Sequence, residues 1–541
     1  MKQKSYLFAI KIKNCLKMIP VEKYYINIGR ASDLKNPKEK IIYRLLEMLP
    51  GFLVWTTLLL MVIVSWLKPS WAAIFIIVFC AYWILRTTHF TIHLIAAYRT
   101  MKKNLKVNWL KKLEQLTINN KQLTIRNWRE VYQLVVFPMY KEGIGIVRGS
   151  MESLVNSDYP KEKLIVVLAC EERGGKEARE TASVIEKEFS DKFFKLLITW
   201  HPENLPGEIV GKGSNETWAG KEVKKRIIDV EKIPYENIIV SCFDVDTQVF
   251  PQYFSCLTYY YLTCEHPLRS SFQPIPLYLN NLWEAPFFSR LISAMNVFWQ
   301  MMQQQRPEKV ITYSSHAMSF SALVEMDFWQ KNVVSEDAGI FWKSFLFYDG
   351  DYRVVPIHYT ISMDAVVAKN FWRTAKNQYK QQRRWASGSE GVPYLLFGLF
   401  KNKKIPFRKG FSYSFLMVEA FWAWGTNAIL ILCLGWLPLV LNQGEFLTTV
   451  LAHNLPYITR NLMTVAMIGL FVCIIINTLL VPRPKELNWG KKFSIIAQWL
   501  FFPFGLIFFG SFPSIDAQTR LMLGKRMGFW VTEKTRLHDK K

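Results

Sequence analysis

The chain has 541 residues, half of them apolar and 15% aromatic, so it is too long for one small domain and has ample material for a core. Its formal net charge of +25 suits an anionic lipid surface or an anionic substrate such as a nucleotide or nucleic acid. Its eight cysteines form no C-x-x-C pair and lie mostly in apolar runs, which disfavours a zinc site or a disulfide framework.

The first hundred residues predict a basic segment followed by two transmembrane helices. Residues 1–44 are rich in lysine and lack the compact apolar region of a cleavable signal peptide. Residues 48–67 are uncharged and match the ~20 residues that a bilayer core demands. A second apolar run extends over residues 70–86. We therefore predict a basic cytoplasmic segment over 1–44 and two transmembrane helices within 45–100.

Residues 101–404 alternate between short β-rich runs and longer charged runs, which predicts a soluble α/β domain. Four runs predict strands, namely VYQLVVFPMY, KLIVVLACEE, FFKLLITWHP and ENIIVSCFDVD, and the segments EGIGIVRGSMESLVNSDYP and GKEARETASVIEKEFS predict helices between them. This order predicts a parallel sheet whose ligands bind beyond the carboxyl ends of its strands. Two later runs, 287–305 and 390–400, are predicted to lie at the membrane interface.

Beyond residue 404 the apolar runs return. Residues 411–441 and 462–481 predict two further transmembrane helices within 405–482. Basic clusters at 401–410 and 483–492 flank these helices, whereas the short segments 68–70 and 442–460 carry almost no lysine or arginine. We therefore expect the middle region to be cytoplasmic, at the plasma membrane. A fifth run, 493–512, contains Pro503 and two glycines; it could span the bilayer or form a broken helix at its interface.

Two aspartates stand one residue apart at the end of the fourth predicted strand, in SCFDVDTQVF. A buried strand that ends in Asp244 and Asp246 is costly unless a cation balances the two carboxylates. Mg²⁺ or Mn²⁺ takes one or two carboxylates and completes its shell with substrate phosphates, so this D-x-D predicts a cation site on a diphosphate. Taken alone, an ordinary aspartate-rich turn explains the pattern equally well.

Polar residues also follow the first two predicted strands. Pro138, Tyr140 and Glu142 form a P-x-Y-x-E pattern that resembles the opening of family-2 glycosyltransferases, where it lines the nucleotide pocket. Glu171 lies where that family has an acid that contacts the nucleotide base, although Glu172 is an equal candidate and either could be a solvated loop charge.

Two more strings resemble the same family. GKGSN is similar to its K-A-G-x-x-N element, in which Lys212 would bring positive charge to a phosphate. Ser335, Glu336 and Asp337 resemble its T-E-D, in which the aspartate takes the proton from the acceptor hydroxyl. A helix-capping box at Ser335 would also explain this string.

The string QQRRW is the most specific, because Q-x-x-R-W characterises membrane-bound family-2 enzymes such as cellulose, chitin and hyaluronan synthases. The resemblance implies that Arg384 forks onto the diphosphate and that Gln381 and Trp385 position the acceptor sugar. A basic amphipathic helix at the membrane surface is the alternative.

The tail, residues 529–541, begins with FWVTEK and resembles the F-x-V-T-x-K gating loop of bacterial cellulose synthase. In that family the threonine and lysine, here Thr532 and Lys534, reach over the nucleotide. A solvated basic tail is the alternative. If the tail is a gating loop, it is cytoplasmic like the N-terminus, and the chain crosses the membrane an even number of times. The four transmembrane helices already predicted meet this condition, so we predict that residues 483–528 are interfacial or re-entrant.

Together these motifs resemble a membrane-embedded family-2 glycosyltransferase: an α/β GT-A domain, Rossmann-like and nucleotide-sugar-binding, inserted between transmembrane helices. The resemblance implies inverting transfer from a nucleotide-diphosphate sugar, most often a UDP-sugar, to a glycan acceptor, with processive polysaccharide synthesis as one outcome. It implies Mg²⁺ or Mn²⁺ as cofactor. His316 lies where the family has an acceptor-side loop, but the usual C-G-S or G-S-G string is missing, which favours a structural role.

Two other functions remain open at this point. A non-processive enzyme that glycosylates a lipid, such as a polyprenyl phosphate or ceramide, would share D-x-D and Q-x-x-R-W. A non-enzymatic membrane scaffold or nucleic-acid-binding protein would explain the charge. It would not explain carboxylates at successive strand ends, which a nucleic-acid-binding face should not carry. We therefore expect the lipid bilayer, and no nucleic acid, as a partner.

Overall fold

The computed structural model describes residues 21–442, 444–482, 489–525, 527, 528, 530 and 536. The predicted gating-loop residues Thr532 and Lys534 lie outside these described residues.

Five helical segments within the described ranges are long and apolar enough to cross a membrane. They are Pro37–Leu67 (α1), Pro69–Asn104 (α2), Phe407–Cys433 (α13), Val450–Leu480 (α15) and the interrupted stretch Phe493–Met522. α1 and α15 have 31 residues each, more than the ~20 that span a bilayer core, so both extend beyond the predicted runs 48–67 and 462–481. The predicted span 411–441 is wrong at its end: α13 stops at Cys433, and a separate short helix, Leu437–Leu441 (α14), follows it.

The fifth segment is broken by proline and by changes of helical pitch. It comprises the end of the helix Trp489–Ala497 (α16) and the helices Phe502–Leu506 (α17) and Phe512–Met522 (α18), with tighter and wider turns between them. Pro503 and Pro513 each stand at the start of one of these helices, where a missing N–H costs nothing. Its total length is sufficient for a span, so its interfacial placement stays a prediction.

The middle of the chain forms one mixed sheet in the order β3-β2-β1-β4-β7-β6-β8-β5. The eight strands are Tyr132–Met139 (β1), Leu164–Glu171 (β2), Lys195–His201 (β3), Ile238–Cys242 (β4), Gln248–Val249 (β5), Ser270–Leu277 (β6), Ala317–Ser319 (β7) and Arg353–Ser362 (β8). The four predicted strands are β1 to β4, and they pair in parallel, which confirms the α/β prediction. β7 runs antiparallel to both β4 and β6, so the second half of the sheet is mixed.

Helices cover the sheet and connect its strands. Those of the domain are Trp109–Glu114 (α3), Ile144–Val155 (α4), Gly175–Phe189 (α5), Lys212–Val223 (α6), Tyr253–Thr263 (α7), Phe287–Gln304 (α8), Phe320–Glu325 (α9), Glu336–Phe347 (α10), Phe371–Ala386 (α11) and Gly391–Lys401 (α12). The two predicted helices are α4 and α5. α4 ends at Val155, not at residue 159 as predicted, because the chain then turns through Asn156 toward β2.

Alternation along β1 and β2 divides the core into two layers. Val135, Phe137 and Met139 belong to one buried cluster, whereas Leu134 and Val136 belong to another. Successive side chains of a strand point to opposite faces, so these clusters lie on the two sides of the sheet. All eight residues of β2 are buried, as expected for a central parallel strand covered on both faces.

Aromatic stacking joins the domain to the fifth apolar segment. Phe288 of α8 stacks on Phe509 with ring centroids 5.3 Å apart, and Phe298 stacks on Trp499 at 6.0 Å. On α11, Arg383 donates to Asp516 of α18 at 2.8 Å. The helices that carry part of the candidate site are therefore packed directly on apolar helices.

Candidate active site

The carboxyl ends of the parallel strands place the predicted polar clusters along one rim of the sheet. Tyr140 follows β1, Glu171 ends β2, and Asp244 follows β4 by two residues. β1 lies between β2 and β4 in the same parallel register. The three clusters therefore converge because neighbouring parallel strands end on the same side.

Lys212 is the centre of this rim. As the first residue of α6, it is only 6% exposed, and its Nζ lies 2.8 Å from Asp337 Oδ1 and 3.0 Å from Asp244 Oδ1. Burial lowers the pKa of Lys212, but the carboxylates around it raise that pKa more, to well above its usual range. Lys212 is therefore a buried, permanently charged ammonium that brings two chain-distant aspartates together.

Two glutamates stand behind Lys212. Glu216, one turn further along α6, and Glu336, the first residue of α10, each have a carboxylate oxygen 3.7 Å from Lys212 Nζ. Burial raises the pKa of Glu336 to about 8 and that of Glu216 well above its usual range. Burial therefore disfavours the charged form of both glutamates.

The two aspartates of D-x-D have different surroundings. The Asp244 side chain is 31% exposed and accepts a hydrogen bond from Ser314 Oγ at 2.8 Å. Asp246 is 1% exposed; its Oδ2 accepts from the Asp364 N–H at 2.7 Å, and its carbonyl accepts from Asn280 Nδ2 at 2.9 Å. The Asp244 carboxylate is thus partly exposed to solvent, whereas the buried Asp246 carboxylate is hydrogen-bonded to the segment that follows β8.

A divalent cation fits this donor set only together with substrate oxygens. Among the described residues, no group of three or more histidine, cysteine, aspartate or glutamate side chains is placed to hold a metal ion alone. Asp244 and Asp246 supply two carboxylates beside an acidic rim that Lys212 neutralises in part. Mg²⁺ and Mn²⁺ accept one or two carboxylates and take their remaining ligands from phosphates and water.

Asp337 lies in the first turn of α10 and is 22% exposed. Thr312 Oγ1 donates to its backbone carbonyl at 2.6 Å, and His316 Nδ1 lies 3.8 Å from its Oδ1. Burial lowers the pKa of His316 to about 4, so this histidine is neutral at physiological pH. The capping box considered for this string is absent, since the Ser335 side chain makes no capping hydrogen bond.

The Q-x-x-R-W string occupies the last turns of α11. Gln381 is buried and accepts from Gln378 Nε2 at 3.3 Å, whereas Trp385 is half-buried. Burial raises the pKa of Glu336 and of Tyr278, and the positive charge of Arg384 opposes both rises.

The other predicted nucleotide-site residues make local contacts at the ends of β1 and β2. Arg173 lies over the Tyr140 ring, 4.0 Å from its centroid, and its Nη2 donates to Glu171 Oε1 at 3.0 Å. Glu142 accepts from the Tyr140 N–H at 2.7 Å and so closes the turn after β1. Pro138 lies within β1, opposite Ala169, as the predicted strand VYQLVVFPMY implies. Contacts of these residues with a nucleotide stay predictions.

Sequence reasoning missed several groups at this rim. Glu216 stands four residues after Lys212 on one helix, a spacing that could have revealed it. Asp364, Ser314 and Tyr278 carry no local signal, because only the second, mixed half of the sheet brings them to D-x-D.

No protein-family model matches this chain, and no curated protein matches it in sequence. Among solved structures, a mannosyltransferase from Pyrobaculum calidifontis in complex with GDP-Man and Mn²⁺ is 15% identical and covers 72% of this chain and 99% of its own, with a TM-score of 0.39. Residues 1–349 of TarS from S. aureus, in complex with UDP-GlcNAc, are 14% identical and cover 62% and 90%, with a TM-score of 0.30. TM-scores of this size do not establish a common fold, so the proposals below depend on the geometry of the rim.

Proposed function

We propose that this chain is a membrane-bound glycosyltransferase that moves a sugar from a nucleotide-diphosphate sugar to an acceptor with the aid of Mg²⁺ or Mn²⁺. One observation carries the proposal: Lys212 holds Asp244 and Asp337 within 3.0 Å of one buried ammonium, at the strand ends where α/β sheets bind ligands. The chain brings these residues together across more than a hundred positions, which an aspartate-rich turn does not require.

The diphosphate of the donor would lie against the exposed carboxylate of Asp244. Asp244 and Asp246 would hold the cation, which supplies positive charge to the leaving diphosphate. Lys212, which already contacts Asp244 at 3.0 Å, and Arg384 would neutralise the remaining charge. Because Lys212 is almost fully buried, it acts with little competition from water.

Asp337 is the proposed base. Its side chain is partly exposed, and its Oδ1 lies 2.8 Å from the Lys212 ammonium. The acceptor oxygen would form a bond to the anomeric carbon while the bond to the diphosphate breaks, and the acceptor proton would pass to Asp337. Such in-line displacement inverts the anomeric carbon.

The acceptor would bind on α11. Trp385 is half-buried there and would stack on a sugar, and Gln381 stands one helical turn before it. We propose a glycan acceptor, processive extension being one outcome, at the cytoplasmic side of the plasma membrane. Thr532 and Lys534 would close over the nucleotide, as the resemblance to a gating loop implies.

The test uses purified full-length protein in detergent with Mn²⁺ or Mg²⁺ and a panel of UDP- and GDP-sugars. We expect cation-dependent release of one nucleoside diphosphate and its loss in Asp337→Asn. A ladder of product lengths would identify polymer synthesis, and one sugar per lipid would identify a lipid acceptor. No release with any donor, from folded protein supplied with membrane extract, would contradict the proposal.

A further inference from the structure

Arg536 is bound to the domain far from its own position in the chain. Its Nη2 donates to Asp364 Oδ1 at 2.8 Å and its Nε to Asp364 Oδ2 at 3.2 Å, a two-point contact between residues 172 positions apart. The Asp364 side chain is fully buried and that of Arg536 is 14% exposed. Bidentate pairs of this kind are among the stronger hydrogen-bonded contacts in proteins.

The space around the Arg536 guanidinium depends on α4. The Gly145 carbonyl lies 3.5 Å from Arg536 Nη1. A Cβ on Gly149 would lie 3.0 Å from the same Nη1 and 2.8 Å from Gln248 Nε2, closer than such contacts normally allow. The glycine at position 149 therefore leaves the room that the arginine occupies.

Asp364 makes two separate contacts, one through its side chain and one through its backbone. Its carboxylate is bound by Arg536, and its backbone N–H donates to Asp246 Oδ2 at 2.7 Å. One residue thus connects Arg536 to the buried aspartate of D-x-D.

We propose that Asp364 and Arg536 are positioning residues for the donor site: Arg536 fixes Asp364, and Asp364 orients the Asp246 carboxylate toward the cation on the diphosphate. This inference rests on the proposed function, because it takes Asp246 as a cation ligand. In this proposal Arg536 affects cation binding through Asp364 and Asp246, independently of any contact between residue 536 and the nucleotide.

Loss of Arg536 should act through the charge of Asp364. Without the arginine, a fully buried carboxylate has lost its bidentate partner, and the segment around Asp364 is no longer held on that side. Movement of this segment alters the position of the N–H that holds Asp246. Partners that orient metal ligands typically change metal affinity by about 10- to 100-fold when they are removed.

The experiment measures Mn²⁺ affinity of the full-length protein in detergent by electron paramagnetic resonance, with UDP or GDP present. We expect Arg536→Ala to weaken Mn²⁺ binding by about 10- to 100-fold. Arg536→Lys, which keeps the charge but not the fork, should give a smaller loss. In Arg536→Ala/Asp364→Asn the affinity should largely recover, because no uncompensated buried charge is left.

The matched control is Arg269→Ala, which breaks an exposed pair with Asp351 at 2.6 Å; its affinity should equal that of the wild type. An Arg536→Ala affinity within about twofold of the wild type, or a double variant as weak as Arg536→Ala, would overturn the inference while the proposed function stands. If the wild-type protein bound no Mn²⁺ with either nucleotide, the proposed function would fail, and this inference with it.

Discussion

At the scale of single residues, the contact between Lys212 and Asp337 decides how the site can work. The 2.8 Å distance keeps the aspartate beside a buried cation, while 22% of its side chain remains open to an approaching hydroxyl. A carboxylate that an acceptor hydroxyl can reach suits a general base.

We expect Asp337→Asn to lower sugar transfer by about 10²- to 10⁴-fold, the usual effect of removing a general base. Mn²⁺-dependent nucleotide binding should change far less, since Asp244 and Asp246 are intact. Transfer rate and nucleotide affinity measured on the same preparation check this. Asp351→Asn, in the exposed pair with Arg269, is the control. Full transfer by a folded Asp337→Asn protein would remove Asp337 from the mechanism.

Glu336 predicts a pH dependence of stability. Its pKa rises from an ordinary 4.5 to about 8 on folding, because burial disfavours the charged form. Between these pH values the folded protein holds a proton that the unfolded chain has released, so stability falls as pH rises from about 4.5 to about 8.

Thermal unfolding in detergent from pH 5 to 9 checks this dependence. Glu336→Gln should flatten the fall, with the largest gain over the wild type near pH 8, because the amide cannot ionise. Glu114→Gln, at an exposed position, should leave the fall unchanged. A wild-type stability that rises over this range, or a slope unaltered by Glu336→Gln, would contradict the account.

At the scale of elements, the site depends on the close approach of α6 and α10. A Cβ on Gly213 of α6 would lie 2.8 Å from the Gln330 carbonyl oxygen and 3.0 Å from Glu336 Cβ. The missing side chain at this position allows Lys212 to reach the carboxylates of α10.

We expect Gly213→Ala to cost about 1–3 kcal/mol of unfolding free energy, the usual effect of overpacking, and to lower transfer by separating Lys212 from Asp337. Gly339→Ala on α10 is the matched control, because its Cβ would meet nothing closer than Val333 Cγ2 at 3.8 Å. Alanine is the better helix former, so this control should be neutral or stabilising by up to about 1 kcal/mol. Equal behaviour of the two variants in thermal unfolding and transfer would show that the α6–α10 spacing does not limit activity.

Sequence patterns predicted those elements whose signal is local. Each of β1 to β4 carries a run of apolar residues that periodicity detects, and D-x-D is adjacent to the last of them. The strands β5 and β7 escaped prediction because they have only two and three residues, too few for a periodic signal. The strands β6 and β8 are longer, but each contains proline, which weakens the pattern of a strand. Asp364 was missed because its contacts with Asp246 and Arg536 depend on chain-distant pairing.

At the scale of the whole molecule, the part of the chain that the structure describes combines a charged rim with five apolar helical segments. Helix α11, which carries Gln381 and Trp385, is tied to α18 through Arg383 and Asp516 at 2.8 Å. An acceptor on α11 would therefore be close to the helices that are apolar enough to enter a membrane. This arrangement suits an enzyme whose product stays at the bilayer, and the cytoplasmic side remains our prediction from the basic flanks.

The central claim is that one cation joins Asp244 and Asp246 to a nucleotide diphosphate. Pulsed electron paramagnetic resonance of the full-length protein with Mn²⁺ and UDP or GDP measures this directly, through the coupling of the manganese to phosphorus. The account predicts a phosphorus coupling in the wild type that disappears in Asp244→Asn/Asp246→Asn. Manganese bound without phosphorus coupling, or coupling unchanged in the double variant, would contradict it.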